Sequence, residues 1–320
     1  MAIVLALASA ITYGGSDFAA GLASRSADVI RVTLIASTAG LAVVLVALPL
    51  AAPRPPGTAA LAWGAVAGLS GTVGALALYL GFRHAAFSVA GPLSAVGAAG
   101  FSVLAGLLLG ERPTALALTG IVLALPAIVG VSASAASAAS AASAASPGQA
   151  SEPETSTGQM PAAADPGVPI RPAPGVTALG RPAAGVAAGL IAGAGFALLF
   201  IGLNRAGSGS GLWPVVVAQV AEQIVICGAA AVTGNFRLPG ARSGWLAAIT
   251  GVTGAVGTIL YFFATHDGFL AVTAVLTSLY PAITIVLART LLGERLTTLR
   301  LAGLALAAAC VALIAIGGAG

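Results

Sequence analysis

The sequence contains no lysine, and charged residues of all types make up only 7% of its 320 residues. Soluble domains carry about 25% charged residues, so this chain lacks the side chains that cover a water-exposed surface. Hydrophobic residues make up 58% of the chain. These proportions exclude an ordinary cytosolic enzyme and indicate a protein whose surface mostly faces lipid. The lipid bilayer is therefore the first partner that the sequence predicts.

Basic runs, paired cysteines and clustered metal ligands are also missing. The basic residues are all arginines that stand singly, so no basic run is available to follow a phosphate backbone. Cys227 and Cys310 each lie in an apolar run, without a CxxC pair or a neighbouring histidine. We expect no nucleic-acid partner, no metal site and no cofactor. The oligomeric state stays open.

The apolar residues fall into segments long enough to cross a bilayer as helices, which takes about 20 residues each. The segments that fit are 2–23, 29–50, 58–82, 86–109, 114–131, 183–203, 212–234, 243–265, 269–292 and 296–317. Pro281 lies inside the ninth segment, where we expect a kink or a break because proline cannot donate a helical hydrogen bond. The predicted fold class is an all-α integral membrane protein with ten transmembrane helices.

A segment of different composition separates the fifth and sixth spans. Residues 132–146 are a Ser-Ala-Ala repeat, and residues 147–182 are rich in proline, alanine and polar groups. Such a segment has too few large apolar side chains to offset its ordering entropy. We predict a first repeat over 1–131, a disordered linker over 132–181 and a second repeat over 182–320.

The two halves match each other at an offset of 183 residues. The offset aligns Gly110, Glu111 and Arg112 with Gly293, Glu294 and Arg295, and it aligns the glycine pattern of the third span with that of the eighth. We expect the two Gly-Glu-Arg triplets to cap helices and to pair at the membrane surface. Five spans per half place the second half upside down relative to the first. Inverted repeats of this kind are typical of secondary transporters, which bind substrate between the halves.

The paired repeats resemble the EamA branch of the drug/metabolite transporter superfamily. Each half closes with Gly-Glu-Arg-x-Thr and a final helix, and the start Tyr13-Gly14-Gly15-Ser16-Asp17-Phe18 is similar to the first helix of that family. The resemblance covers the whole chain except 132–181. It implies a ten-helix transporter with a central cavity that moves small metabolites, often outward.

Glu222 lies halfway along the seventh span, and we interpret it as a site for substrate or for a coupled proton. A charge at the centre of a transmembrane helix costs about 2.5–3.5 kcal/mol on insertion scales, so it needs a partner or a cavity. Gln219 and Gln223 are expected to accompany it. The offset matches Glu222 with Ala39, whereas a purely structural carboxylate would more plausibly recur in both halves. A role in packing alone stays open.

A polar stripe at helical spacing on the first span includes Tyr13 and Asp17. Such a stripe in lipid must face protein or water. Both residues are candidates for the cavity wall, although Asp17 is also close enough to a helix end to cap it or to reach the interface. Tyr261 and Tyr280 are further candidates for the same cavity.

We therefore predict a transporter, not an enzyme, that moves a small organic molecule by alternating access, with a proton as the possible coupling ion. The chain has no Walker-type motif for ATP binding. A membrane-embedded enzyme and a facilitative channel remain the alternatives. The arginine-rich, lysine-free composition is typical of a GC-rich bacterial genome, so the expected location is the bacterial plasma membrane.

Overall fold

The computed structural model describes residues 1–23, 27–51, 55–84, 87–144, 181–236, 239–292 and 298–317. This part of the chain is helical and contains no β-strand. The helices are α1 (Ala2–Ala23), α2 (Val29–Ala47), α3 (Thr58–His84), α4 (Phe87–Leu108), α5 (Ala115–Ala144), α6 (Arg181–Arg205), α7 (Trp213–Thr233), α8 (Ala241–Asp267), α9 (Leu270–Thr277), α10 (Tyr280–Leu292) and α11 (Thr298–Gly317). A short 3₁₀ turn, Leu48–Ala51, continues α2.

Seven candidate spans within the described residues are long and apolar enough to cross a membrane. Shorter apolar helical stretches are Leu93–Leu108, Ala115–Val129 and Leu301–Gly317. Large apolar side chains such as Val4, Ile11 and Ile224 are exposed on the outside of the helices, where a soluble protein would carry polar groups. These features identify a multi-pass membrane protein. The ten crossings that the sequence predicts stay a prediction.

The ninth predicted span is broken in two, as expected from Pro281. Helix α9 ends at Thr277, and α10 begins at Tyr280 with the proline at its second position. Proline fits the first turn of a helix because the N–H that it lacks would have no helical partner there. The hydroxyl of Ser278, at the break, is buried without a hydrogen-bond partner.

Helix α5 is longer than the sequence analysis predicted. It continues to Ala144 and so includes the first part of the predicted linker, residues 132–144. Alanine has the highest helix propensity, and the Ser-Ala-Ala repeat therefore extends a helix that has already begun. Residues 145–180, the rest of that linker before α6, lie outside the described part of the chain.

Helices of one half pack against helices of the other. Helix α1 lies along α8 and α10, and α6, the counterpart of α1 in the repeat, lies along α3 and α4. Helix α2 packs on α7 and α8, and α7 packs on α2 and α3. Each of these contacts thus has a partner contact at the 183-residue offset. The two halves interlock instead of forming separate bundles.

Glycines allow the closest of these approaches. A Cβ atom at Gly68 in α3 would overlap the backbone of Ala218 in α7, and a Cβ atom at Gly251 in α8 would overlap the backbone of Ala36 in α2. Small residues let helix backbones approach closely within a membrane. Gly68 and Gly251 are equivalent in the repeat, so the shared glycine pattern of the sequence corresponds to a shared packing contact.

Candidate membrane cavity and its polar wall

The polar stripe of α1 faces α8. The Ser9 hydroxyl donates to the Gly257 carbonyl at 2.8 Å, and the Ser16 hydroxyl donates to the Thr250 carbonyl at 2.9 Å. Between them, the hydroxyls of Tyr13 and Thr258 form a hydrogen bond of 2.8 Å. The stripe therefore faces protein, as the sequence analysis expected, and it binds α1 to a helix of the other half. Thr250 was not identified from the sequence.

Asp17 lies one turn after Tyr13 and is exposed. Its position on α1 is about 120–140° around the helix axis from Ile11 and Val4, the exposed apolar residues of the same helix. In the described part of the chain, Asp17 has no hydrogen-bond or ion-pair partner. Asp17 therefore lies away from the exposed apolar face of α1.

Glu222 lies away from the exposed apolar face of its helix, α7. It is half-buried, and it lies about 160° around α7 from Ile224, which is exposed on the lipid side. The Gln219 side chain amide donates to the Glu222 carboxylate at 2.9 Å. Gln219 is itself buried against α2. A Cβ atom added to Gly40 of α2 would lie 3.3 Å from the Gln219 amide nitrogen. Gln219 thus holds the carboxylate from a fixed position.

Four predicted site residues lie on two helices, Tyr13 and Asp17 on α1 and Gln219 and Glu222 on α7. That these four side chains line one cavity stays a prediction. We refer to these four residues as the polar wall.

Three other predicted residues lie elsewhere. The Gln223 amide donates to the Cys227 sulfur at 3.2 Å, and its carbonyl is 3.5 Å from the Thr38 hydroxyl of α2, so this side chain points away from Glu222. Tyr261 is fully buried, stacks on Phe200 and donates to a backbone carbonyl of that residue. Tyr280 is partly buried and packs against the apolar core beside the helix break.

The first Gly-Glu-Arg triplet caps two helices, as expected. Gly110 ends α4 in a left-handed conformation with φ of 88°, and the Glu111 backbone N–H donates to the Gly106 carbonyl. The Glu111 carboxylate accepts hydrogen bonds from the backbone N–H groups of Leu270 and Ala271 at the start of α9. Glu111 therefore connects the first half to the broken helix of the second half.

The expected pairing of the two triplets is not described by the structure. Arg112 is exposed. The second triplet, Gly293, Glu294 and Arg295, lies outside the described residues. No group of three or more His, Cys, Asp or Glu side chains in the described ranges is arranged to hold a metal ion.

The sequence matches the model of the EamA-like transporter family over residues 1–133 and again over residues 183–316. The chain belongs to the EamA-like transporter family. Membership of this family implies a membrane transporter of small solutes. The two matched segments leave out the Ser-Ala-Ala and proline-rich region between the halves.

Known structures support the fold of this EamA-like transporter. A solved crystal structure aligns with a TM-score of 0.69 at 16% sequence identity, over 98% of this chain and 96% of that chain. In all, 14 chains of solved structures match. No curated protein matches the sequence. At this identity the likeness concerns the fold alone.

Proposed function

We propose that this protein is a secondary active transporter that exports a small organic metabolite or drug across a bacterial inner membrane. Its mechanism is alternating access, with a proton as the coupling ion. Two five-helix repeats of opposite orientation, 1–131 and 182–320, enclose the cavity and are joined by the intervening linker. Membership of the EamA-like family supports the class of function. The paired contacts between the halves support the alternating-access mechanism, because two related halves have two related ways to open.

The observation that carries the proposal is the position of Glu222. It is half-buried within the span of α7, away from the exposed Ile224, and it accepts a hydrogen bond from the buried Gln219. Alternating access exposes this carboxylate to each side of the membrane in turn. When the carboxylate carries a proton in one direction only, solute movement is coupled to the proton gradient. Protonation also removes the cost of carrying a charge through the membrane interior. Its repeat counterpart is Ala39, so only one half supplies this group.

The titratable groups around Glu222 limit which residues serve as the coupling site. The titratable residues of α1 are Tyr13 and Asp17. Helix α2 contributes only Arg31, which is in its first turn, and the titratable residues of α3 are Tyr79, Arg83 and His84 near its last turn. Of the acidic residues in the described chain, Asp17 is therefore the one other candidate for proton coupling.

The test uses purified protein in liposomes with an imposed pH gradient. A panel of amino acids, amines and drugs is first screened for counterflow, which a transporter shows and a channel does not. Glu222→Gln keeps the size and hydrogen bonding of the side chain but removes its titration. We expect this variant to lose accumulation driven by the pH gradient and to keep solute counterflow.

The control variant is Asp267→Asn, which changes an exposed carboxylate at the end of α8 and should transport normally. Unchanged pH dependence in Glu222→Gln would exclude Glu222 as the coupling site and would make Asp17 the next residue to test. Flux that does not saturate and shows no counterflow would favour a channel. Chemical conversion of a panel compound would favour a membrane-embedded enzyme.

A further inference from the structure

An apolar groove opens between α1, the start of α10 and α11. Its volume is about 270 Å³, and the ten residues that line it are all alanine, leucine, isoleucine or valine. Ala10, Leu279, Ala282 and Ala307 form a buried floor, and Ile11 and Ala308 form an exposed rim. A water molecule needs polar partners to occupy a protein cavity, and these side chains offer none. The groove therefore fits an apolar occupant.

The rim of the groove continues the lipid-facing surface of two helices. On α1, Val4 and Ile11 are both exposed and lie about 20° apart around the helix axis. On α11, Leu301 and Ala308 have the same spacing and are also exposed. An exposed apolar face of a multi-pass membrane protein lies against lipid. The groove therefore opens towards the hydrocarbon of the bilayer.

The first half closes the space that is equivalent to this groove. At the 183-residue offset, Ala282 corresponds to Ala99, Leu304 to Ile121 and Ala307 to Ala124. In the first half, α4 packs on α5, and the three equivalent side chains are at most 3% exposed within one core cluster. In the second half, the same positions border an open groove. The shared scaffold can thus fill this space with its own side chains, and one half leaves it to a group from outside the chain.

The groove borders the break between α9 and α10. Leu279 lies between the two helices, and Ala282 and Ile283 are in the first turn of α10. The backbone is irregular here, because the Leu279 N–H donates to the Leu276 carbonyl and the Ala282 N–H donates to the Leu279 carbonyl, each three residues back. An occupant of the groove therefore packs against the segment where the helix is interrupted.

We propose that this groove is a binding site for one acyl chain of a bilayer lipid. An alkyl chain is the apolar group that the lipid-facing surface meets, and it is thin enough to lie between two helices. Its methylene groups gain contacts with the floor that a chain on the outer surface does not make. This inference goes beyond the proposed transport function and does not depend on the direction of transport or on the coupling ion.

The test uses the full-length protein in phosphatidylcholine vesicles that contain a small fraction of phosphatidylcholine with a diazirine on one acyl chain. After illumination, mass spectrometry measures the labelling of each residue. Ala282 of the floor should be labelled about tenfold more than its repeat counterpart Ala99, because burying two methylene groups changes an equilibrium constant by about that factor. Ile224, exposed on α7, reports ordinary contact with lipid.

Two matched variants of α11 separate the groove from the rest of the lipid-facing surface. Ala308→Phe places a ring at the rim and should lower labelling of Ala282 by about tenfold without changing labelling of Ile224. Ala309→Phe adds the same ring at the next residue, which is exposed but does not line the groove, and should change neither. Ala308→Leu, a smaller addition, should give a partial loss. Thermal unfolding shows whether each variant is folded.

Three results would overturn this inference. Labelling of Ala282 no higher than that of Ala99 would show that no acyl chain enters the groove. Labelling that persists in Ala308→Phe would show that the chain reaches Ala282 by another route. Labelling that is suppressed by a water-soluble solute from the counterflow screen would make that solute the occupant. None of these results changes the counterflow measurement, so the proposed transport function is tested separately.

Discussion

Tyr13 and Tyr261 are two tyrosines on neighbouring helices whose hydroxyl groups serve different purposes. The Tyr13 hydroxyl bonds to Thr258 across the contact between α1 and α8. The Tyr261 hydroxyl donates to the Phe200 carbonyl within a fully buried cluster. We propose that Tyr13 also lines the cavity, whereas Tyr261 completes the core.

These roles predict different effects for the same substitution. Tyr261→Phe removes one hydrogen bond and should lower the free energy of unfolding by about 0.5–1.5 kcal/mol without changing substrate affinity. Tyr13→Phe should cost a similar amount and should also weaken substrate binding. Thermal unfolding and transport KM of the two variants measure both effects. A changed KM in Tyr261→Phe with an unchanged one in Tyr13→Phe would reverse the assignment of these residues.

At the level of helices, close packing depends mainly on glycine contacts. Gly68 and Gly251 place α3 against α7 and α8 against α2, each against the backbone of an alanine. By contrast, a Cβ atom at Gly100 in α4 or at Gly228 in α7 would meet no atom within 4 Å. The glycines of this chain are therefore not equivalent, and substitution by alanine separates the two kinds.

We expect Gly68→Ala and Gly251→Ala each to destabilise the protein by about 1–3 kcal/mol, because an added methyl group forces two helices apart. Gly100→Ala and Gly228→Ala are the matched controls and should be neutral or stabilising by up to about 1 kcal/mol, since alanine is the better helix former. Unfolding in detergent measures the difference. Equal effects at all four positions would show that close approach does not determine stability.

The Glu111 carboxylate also connects helices, because it accepts hydrogen bonds from the first N–H groups of α9. An acidic group at a helix N-terminus satisfies backbone donors and interacts favourably with the helix dipole. Glu111→Ala should therefore cost about 0.5–2 kcal/mol of unfolding free energy. The exposed neighbour Arg112→Ala should cost less than about 0.5 kcal/mol. If both variants unfold alike, the cap contributes nothing to stability.

Across the whole molecule, the lengths of the apolar segments predicted an all-helical membrane protein, and the described residues contain seven candidate spans. The first predicted span coincides with α1, and the expected break in the ninth span occurs just before Pro281. The sequence analysis assigned residues 132–144 to the linker because composition alone does not show whether an alanine-rich segment continues a preceding helix. The length of such an extension depends on the propensity of alanine and on nucleation by the helix before it.

Side-chain directions were harder to predict than helices. Glu222 and Gln223 are neighbours in sequence, but one accepts a hydrogen bond from Gln219 and the other bonds towards α2 and its own helix. Tyr261 became a core residue because Phe200 and the start of α9 enclose it. These outcomes depend on which helices are in contact. The offset of 183 residues carried part of that information, since it identified Glu222 as a group that only one half supplies.

In the proposed transporter, two halves of opposite orientation enclose one cavity. The chain has only two cysteines, Cys227 and Cys310, so alanine at both gives a cysteine-free background. Single cysteines at Arg112 and Arg295, equivalent positions of the two triplets, are then labelled in cells with a membrane-impermeant maleimide. We predict that one position is labelled only from outside and the other only after the inner face is opened. Labelling of both positions from the same side would contradict the inverted repeat and, with it, this account of transport.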